Sequence, residues 1–198
     1  MNIRILILVV ALLIVIGPVG YPRTATAQSA VVVGDEGFSR ECFQRAELAV
    51  SFNAADSDDV EVCSKALDSI HLSRTTRAAT FVNRGILQLA SGEYEAARAS
   101  YDAALLLVDD QGETHVNIAN MYVHQKRYDD AITEYSKGLK MMKRRQHVAF
   151  VNRGLAYEYL KDYDSARRDY EKAVELAPSW IRAKKMLARV KLKQAGRS

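Results

Sequence analysis

The amino-acid sequence predicts an all-α protein: a right-handed α-solenoid of antiparallel helix pairs, with a capping helix at the C-terminal end. The first supporting observation is an internal repeat, because similar segments begin at Phe81, His115 and Phe150, 34 and then 35 residues apart. The second is that apolar or small residues recur three, four and seven positions apart within each unit, which places them on one helical face. Repeats of this length bury a core only by stacking on their neighbours, so one continuous array is expected.

The first 27 residues are interpreted as a secretory signal peptide. Residues 5–16 form an unbroken run of 12 apolar residues, and Ala25-Thr26-Ala27 is a small-x-small cleavage site. A helix of 12 residues rises only about 18 Å, which is short against a hydrocarbon core of about 30 Å. Cleavage after Ala27 would leave a periplasmic or secreted protein with no stable membrane span. The alternative is an uncleaved membrane anchor.

Charge is distributed unevenly along the chain, which has 28 basic and 24 acidic residues. Residues 181–198 contain seven basic residues and no acidic one, whereas residues 28–180 contain 19 basic and 24 acidic residues. A nucleic-acid-binding domain usually presents a basic face on its folded body, so we do not expect a nucleic-acid partner.

The elements follow in order from the repeat. Residues 28–38 are predicted to be a leader, and residues 39–72 a degenerate helical-hairpin cap. Counting 34 positions back from the first clear repeat places Ser51, Cys63, Leu67 and Ile70 in the packing columns of that cap. Residues 78–180 contain three repeats, whose helices are expected at about 75–90, 93–107, 110–125, 127–143, 147–160 and 163–177. Residues 179–198 form a basic capping helix and tail, which brings the expected total to nine helices.

Within each repeat, aligned columns indicate where the two helices cross. A small residue occupies one column at Gly85, Ala119 and Gly154, and should be buried because it lets two backbones approach. Two aromatic columns keep the same offsets, at Tyr94, Tyr128 and Tyr163 and at Tyr101, Tyr135 and Tyr170. The tyrosines are expected to fill the space beside the small residues.

These motifs resemble the tetratricopeptide repeat over about residues 78 to 180, in a form similar to exported bacterial members of that family. Departures from the family pattern are His115, where a large aromatic residue is usual, and Arg84 and Arg153, where Leu is usual. The resemblance implies a non-enzymatic scaffold for protein-protein interaction in the cell envelope, which binds a peptide or protein segment in a concave groove.

The resemblance also implies which residues line that groove. In some family members an Asn two positions before the small residue hydrogen-bonds the backbone of an extended peptide, and Asn83, Asn117 and Asn152 occupy that place. We expect these side chains to face solvent, although Asn in this column can also be structural. The other predicted groove residues are Val82, Val116, Val151, Asn120, Glu158 and Tyr159. Lys and Arg are sparse at these positions, so a clamp for acidic C-termini is not predicted.

The two cysteines, Cys42 and Cys63, are predicted to form a disulfide, because an even number of cysteines in an exported chain favours pairing. The predicted turn leaves an axial mismatch of about 6 Å between them, so the bond requires an uneven turn or a frayed first helix. The alternative is two small residues buried at helix-packing positions.

No catalytic constellation, metal site or cofactor motif is evident, since the four histidines lack zinc-helix spacing and a Gly-rich phosphate loop is missing. The predicted partner is therefore a protein or peptide. Two alternatives to groove binding remain open. One is a self-associating structural module, in which case the protein would be a homo-oligomer. The other is binding of an acidic surface through the basic C-terminal helix.

Overall fold

The computed structural model describes residues 37–108 and 111–196, and these contain nine α-helices and no strand. They are α1 (Gly37–Phe52), α2 (Ser57–Asp68), α3 (Arg74–Ala90), α4 (Tyr94–Leu107), α5 (Gly112–His124), α6 (Tyr128–Met141), α7 (Gln146–Tyr159), α8 (Tyr163–Leu176) and α9 (Ile181–Ala195). The predicted all-α class is therefore confirmed. Helix α1 begins at residue 37, so the predicted leader, residues 28–38, is too long by two residues. The predicted signal peptide lies outside the described residues.

The helices pack in consecutive pairs, α1 with α2, α3 with α4, α5 with α6 and α7 with α8, and α9 packs on α8. Each pair also contacts the next one, so the hydrophobic core runs along the array as three adjoining clusters. This is the arrangement expected of a repeat protein, in which each unit contacts only its neighbours.

Three-residue turns of one geometry join the helices of the three central pairs. The middle residue of each turn, Gly92, Lys126 or Lys161, has a left-handed backbone, with φ of 80°, 61° and 62°. The residue after it donates its backbone N–H to a carbonyl five positions earlier, as in Glu93 to Gln88 at 2.8 Å. This is the Schellman ending of a helix, which satisfies carbonyls that the last turn leaves free.

The small column lies where the two helices of a pair cross, as predicted. A Cβ atom built on Gly85 would lie 2.5 Å from Cε1 of Tyr101, and one on Gly154 would lie 2.7 Å from Cε1 of Tyr170. In the second repeat the small residue is Ala119, which is fully buried in the same cluster as Tyr135. The tyrosine ring therefore occupies the space that a side chain would take.

The two arginines that depart from the family pattern form polar links between paired helices. Arg153 of α7 donates from Nε and Nη2 to the two carboxylate oxygens of Asp169 on α8, both at 2.8 Å. Its Nη1 also donates to Oγ of Ser136 on the preceding α6 at 2.8 Å. Arg84 makes the corresponding contact in the first repeat, from Nε to Oγ of Ser100 at 3.0 Å. Bidentate contacts of this kind fix geometry as well as adding energy.

The N-terminal hairpin departs from the predicted register. Of the four residues expected in packing columns, Cys63 and Leu67 are buried in α2 as predicted, whereas Ser51 and Ile70 are exposed. Ile70 lies beyond the end of α2. The small residues that α1 buries are instead Cys42, Ala46 and Ala49. The 34-residue offset fails at Ile70 because α2 ends at Asp68, so that a five-residue connection leads to α3, whereas the later pairs are joined by four residues.

The two cysteines lie together in that hairpin, with Sγ atoms 2.02 Å and Cα atoms 4.8 Å apart. The uneven turn that pairing requires is present in residues 53–56, where Asn53 is left-handed (φ 52°) and Asp56 is extended. Asp56 also caps α2, because its side chain accepts the backbone N–H of Asp59 at 3.0 Å. The geometry of the hairpin therefore fits a disulfide between α1 and α2.

Helix α9 covers the last pair with Ala183 and Val190, which are fully buried against Tyr170 and Ala173 of α8. Its basic residues lie on its other sides, as the amphipathic pattern predicts. Among the helices of residues 37–108 and 111–196, none combines the length and the apolar character needed to cross a membrane.

We expect Gly154→Ala to lower the free energy of unfolding by about 1 to 3 kcal/mol, because the added methyl group must displace the ring of Tyr170 or separate two backbones. Gly196→Ala is the matched control: its added Cβ would meet nothing closer than 3.7 Å. That variant should change stability by less than about 0.5 kcal/mol. Urea unfolding of the three proteins measures the difference. Equal stability of the Gly154 variant and wild type would contradict the close crossing of α7 and α8.

Candidate peptide-binding face

The first helices of the three central pairs, α3, α5 and α7, and the capping helix α9 lie side by side along the array. We call their surface away from the second helices the inner face. On α7, Gly154 points toward Tyr170 of α8, so the residues on the opposite side of the helix, Asn152, Leu155 and Tyr159, belong to the inner face. This surface corresponds to the predicted groove.

The predicted asparagine ladder is buried rather than exposed to solvent. The side chains lie on α3, α5 and α7 as expected, but Asn83, Asn117 and Asn152 are only 1%, 0% and 4% exposed. The expectation of solvent-facing carboxamides is therefore wrong. Neighbouring first helices approach closely enough to enclose this column, so a peptide could not reach it without rearrangement of the helices.

The carboxamide of Asn120 joins three helices through hydrogen bonds. Its Oδ1 accepts from the hydroxyl of Tyr135 on α6 at 2.5 Å and from Nδ2 of Asn152 on α7 at 3.3 Å. All three residues are buried. Buried polar groups contribute to stability when they are paired and are costly when they are not, so Asn120 and Asn152 act in the packing of the second and third repeats.

The other predicted groove residues divide into buried and accessible positions. Val82, Val116 and Val151 are buried, each in a different core cluster, which corrects their placement in the groove. Each of these valines therefore contributes to the hydrophobic core rather than to an accessible surface. Of the predicted set, Tyr159 alone is substantially exposed, at 47%.

The predicted groove residue Glu158 instead anchors α9. Its carboxylate, with 3% of the side chain exposed, accepts from Arg189 and Lys193 of α9 and from the hydroxyl of Tyr170, each at 2.8 Å. Burial alone would raise the pKa of Glu158, but the hydrogen bonds from Lys193, Arg189 and Tyr170 outweigh it and lower the pKa. The group is therefore an ionised link between α7, α8 and α9.

A second buried carboxylate links α5 to α6. Glu134 accepts from Nδ1 of His115 and from Nζ of Lys137, both at 2.7 Å. Burial raises the pKa of Glu134, but the hydrogen bonds from His115 and Lys137 prevail and lower it to about 2. Because its folded-state pKa lies below the ordinary 4.5, this carboxylate stabilises the fold above that pH, and the stabilisation is lost as the pH falls toward 2. The unusual His115 thus has a structural partner.

The accessible part of the inner face centres on an aromatic pair, which joins the predicted groove residue Tyr159 to Tyr128, a residue that the sequence pattern assigned only to packing. The ring of Tyr159 stacks on that of Tyr128, at the start of α6, with centroids 4.6 Å apart and planes inclined by 12°. One repeat later, Nζ of Lys193 lies 5.7 Å from the ring centroid of Tyr163. The sequence does contain a sign of these contacts, the 34- and 35-residue spacing of Tyr94, Tyr128 and Tyr163. Such spacing marks a contact that recurs between the second helix of one pair and the first helix of the next.

The end of the inner face near α9 is basic. Helix α9 contains six basic residues and no acidic one. Arg189 and Lys193 face Glu158 of α7, and Arg182 lies seven positions before Arg189 on the same side of the helix. The sequence pattern predicted a basic capping helix but not the position of Arg189 and Lys193 beside the groove residues of α7.

Within the described ranges, no group of three or more His, Cys, Asp or Glu side chains is arranged to hold a metal ion.

Comparison with known proteins gives a match between residues 110–179 and the family model described as tetratricopeptide repeat. The matched segment comprises the second and third helix pairs, whose turns and crossings are described above. Residues 110–179 therefore belong to the tetratricopeptide-repeat family. The chain has the helical solenoid of that family, whose fold is a protein-interaction module.

Two curated relatives are similar to parts of this chain. The mitochondrial import receptor subunit TOM70 of Mus musculus is 27% identical over 120 residues, which cover 59% of this chain and 19% of TOM70. Small glutamine-rich tetratricopeptide repeat-containing protein 2 of Saccharomyces cerevisiae is 32% identical over 75 residues, or 38% of this chain and 21% of that protein. The chain therefore spans about a fifth of the length of either relative.

Among solved structures, the first tetratricopeptide domain of Spaghetti (RPAP3) bound to the HSP90 peptide SRMEEVD is similar in fold. It superposes with a TM-score of 0.57 and 23% identity, covering 64% of this chain and 99% of that domain. At this identity the likeness concerns the fold alone.

The tyrosine hydroxyls of equivalent positions offer a matched test of the buried polar network. Tyr135→Phe should lower the free energy of unfolding by about 1 to 2 kcal/mol, because Asn120 loses a buried donor. The hydroxyl of Tyr101 is also buried but meets no hydrogen-bond partner among the described residues. Tyr101→Phe should therefore be neutral or stabilising. Denaturant unfolding distinguishes the two variants, and equal losses would refute the structural role of the Tyr135 to Asn120 bond.

Proposed function

We propose that this protein is a non-enzymatic scaffold that binds a peptide or protein segment on its inner face, centred on Tyr159. The observation that carries the proposal is the exposure of that side chain. Of the exposed large hydrophobic residues in the described part of the chain, it alone lies on α3, α5 or α7. A half-exposed tyrosine held by stacking on Tyr128 is a rigid aromatic anchor of the kind that dominates binding energies.

The surroundings of Tyr159 suggest the chemistry of the ligand. Leu155, one turn earlier on α7, is partly exposed and extends the apolar surface. The basic side chains of α9 that face α7, Arg189 and Lys193, border the same surface and are paired to Glu158. A segment with a bulky apolar side chain and an acidic neighbour fits this combination, because charge complementarity adds specificity and association rate. The HSP90 peptide in the similar RPAP3 domain structure, SRMEEVD, has that composition.

The buried asparagine ladder changes how such a ligand would be held. Backbone hydrogen bonds from Asn83, Asn117 and Asn152 would need these side chains at the surface, and they are enclosed. Recognition therefore rests on side-chain contacts with Tyr159 and its neighbours.

The binding proposal is tested by placing a photoreactive amino acid at position 159 in cells and identifying the captured segment. Position 106 is the matched control, since Leu106 is an exposed apolar residue on the second helix α4. A peptide of the captured segment should then bind Tyr159→Ala more weakly than wild type, by about 1 to 2 kcal/mol, or roughly five- to thirty-fold. Isothermal titration calorimetry measures this difference, and thermal melting checks that the variant is folded. Equal capture at both positions, or unchanged affinity, would exclude the Tyr159 surface as the binding site.

We further propose that the scaffold works in the cell envelope, after export by its N-terminal segment. Two observations support this setting: the 12-residue apolar run with its small-x-small site, and the contact between Cys42 and Cys63. Disulfides persist in oxidising compartments such as the periplasm.

The export proposal predicts a bonded cysteine pair in protein recovered from the envelope fraction. Thiol titration of unfolded, unreduced protein should find no free thiol, and mass spectrometry should find Gln28 at the N-terminus. Cys63→Ser is the control and should show one free thiol. Reduction should lower the free energy of unfolding by roughly 3 kcal/mol in the chain-entropy model, for a sequence separation of 21 residues. Two free thiols, or recovery only from the cytoplasm, would contradict export.

A further inference from the structure

Within the described residues, helix α9 has the position of a first helix, and no second helix covers it. The residue 34 positions after Gly154 is Ala188, which therefore occupies the small column of α9. In the three repeats that column is buried under a tyrosine of the following helix, as Gly85 is under Tyr101. Ala188 is exposed, and no helix follows α9 within the described residues.

An apolar stripe runs along this uncovered side of α9. Ile181, Ala188, Leu192 and Ala195 recur at intervals that place them on one face, opposite the buried Ala183 and Val190. Ile181 is 66% exposed and Leu192 is 75% exposed. The terminal helix of a solenoid usually has a polar outer side, which keeps the protein soluble. The outer side of α9 is instead partly apolar.

The opposite end of the array also presents apolar residues. On α1, Leu48 is 54% exposed and Phe52, one turn later, is 75% exposed. Both lie away from Cys42, Ala46 and Ala49, which pack against the rest of the protein. Neither end of the array is therefore covered by a purely polar surface.

The two ends have opposite charge. Residues 37–72 contain seven acidic and three basic residues, a net charge of −4, and α9 has six basic residues and no acidic one. Exposed acidic residues at the first end include Glu47, Asp58 and Glu61. At the other end Lys184 and Lys185 are exposed, and neither forms an ion pair with any described residue. The charges thus complement each other as the apolar stripes do.

We infer that the uncovered side of α9 docks the α1 and α2 end of a second copy of this chain. Leu48 and Phe52 of one copy would cover Ile181, Ala188 and Leu192 of the next, and the acidic hairpin would lie against the lysines. The occupant is a second copy because the chain itself carries, at its other end, an exposed apolar surface of opposite charge. A contact between different surfaces is heterologous, so it produces a linear array or a ring rather than a two-fold dimer. This inference goes beyond the proposed peptide binding and uses neither Tyr159 nor the inner face.

The inference is tested by sedimentation velocity of the purified full chain over a range of concentrations. Wild type should form species larger than a dimer as concentration rises. Leu192→Glu and Phe52→Glu should each weaken association by about ten-fold or more, because each buries a charge in an apolar contact. Leu106→Glu is the matched control, an exposed leucine on α4 away from both ends, and should associate like wild type. Leu192 and Phe52 are both exposed, so glutamate at either position should not disturb the fold, and circular dichroism checks that the variants remain folded.

Mixing the two defective variants identifies the geometry of the contact. Leu192→Glu retains a functional first end and Phe52→Glu retains a functional last end, so together they should form a heterodimer and nothing larger. Added salt should weaken wild-type association, since the ends attract by charge. Three results would overturn the inference: a wild-type chain that stays monomeric, association that neither glutamate variant changes, or a mixture that stays monomeric. Residues 5–16 are identical in wild type and in all the variants. Association through that apolar run would therefore be the same in each protein and cannot explain a difference between them.

Discussion

The close crossing of two helices over a glycine or alanine is the constraint on which the rest of the structure depends. At Gly85 and Gly154 a Cβ atom would overlap the ring of Tyr101 or Tyr170, so the ring can lie flat against the backbone only because the side chain is missing. Burial of a whole tyrosine ring at each crossing contributes a large apolar area. The same geometry fixes where the hydroxyl at the end of the ring must lie.

That hydroxyl has a different neighbour in each of the three repeats. In the second repeat it meets Asn120, and in the third it meets Glu158. In the first repeat Ile86 stands at the position of Asn120 and Leu89 at that of Glu158, so Tyr101 has no acceptor there. The packing rule is thus common to the three repeats, while the polar partner differs between them.

The choice of a carboxylate in the third repeat has consequences for α9. An ionised Glu158 with 3% of its side chain exposed would be costly without positive partners, because charge is poorly solvated away from water. Arg189 and Lys193 supply those partners from α9. Helix α9 is therefore more than an apolar cover over Val151 and Tyr170. It neutralises a charge that the last repeat buries, and so becomes the basic border of the inner face.

Much of the fold could be predicted from the sequence because the repeat columns report contacts that recur at fixed spacing. Gly85, Gly154 and their tyrosines were assigned correctly because small and aromatic residues alternate with the helical period. The same method failed for Ile70, since the N-terminal hairpin has a longer connection and does not keep the 34-residue offset. It also failed to predict the burial of Asn117, because the residue pattern of one helix does not show how closely the first helix of the next pair approaches it. Burial between repeats is a property of two units, and the sequence of either unit leaves it undetermined.

The enclosure of the asparagine column also bears on how a ligand could be bound. A surface whose carboxamides are enclosed inside the protein offers few backbone contacts, so affinity must come from a small number of rigid side chains. Tyr159 is fixed by its stack on Tyr128 and so loses little conformational freedom on binding. This lowers the entropic cost, and a small contact area can then give measurable affinity. If copies also associate end to end, each adds one identical inner face to the array. A partner with several binding segments would then be retained by effective concentration, although each single site is weak.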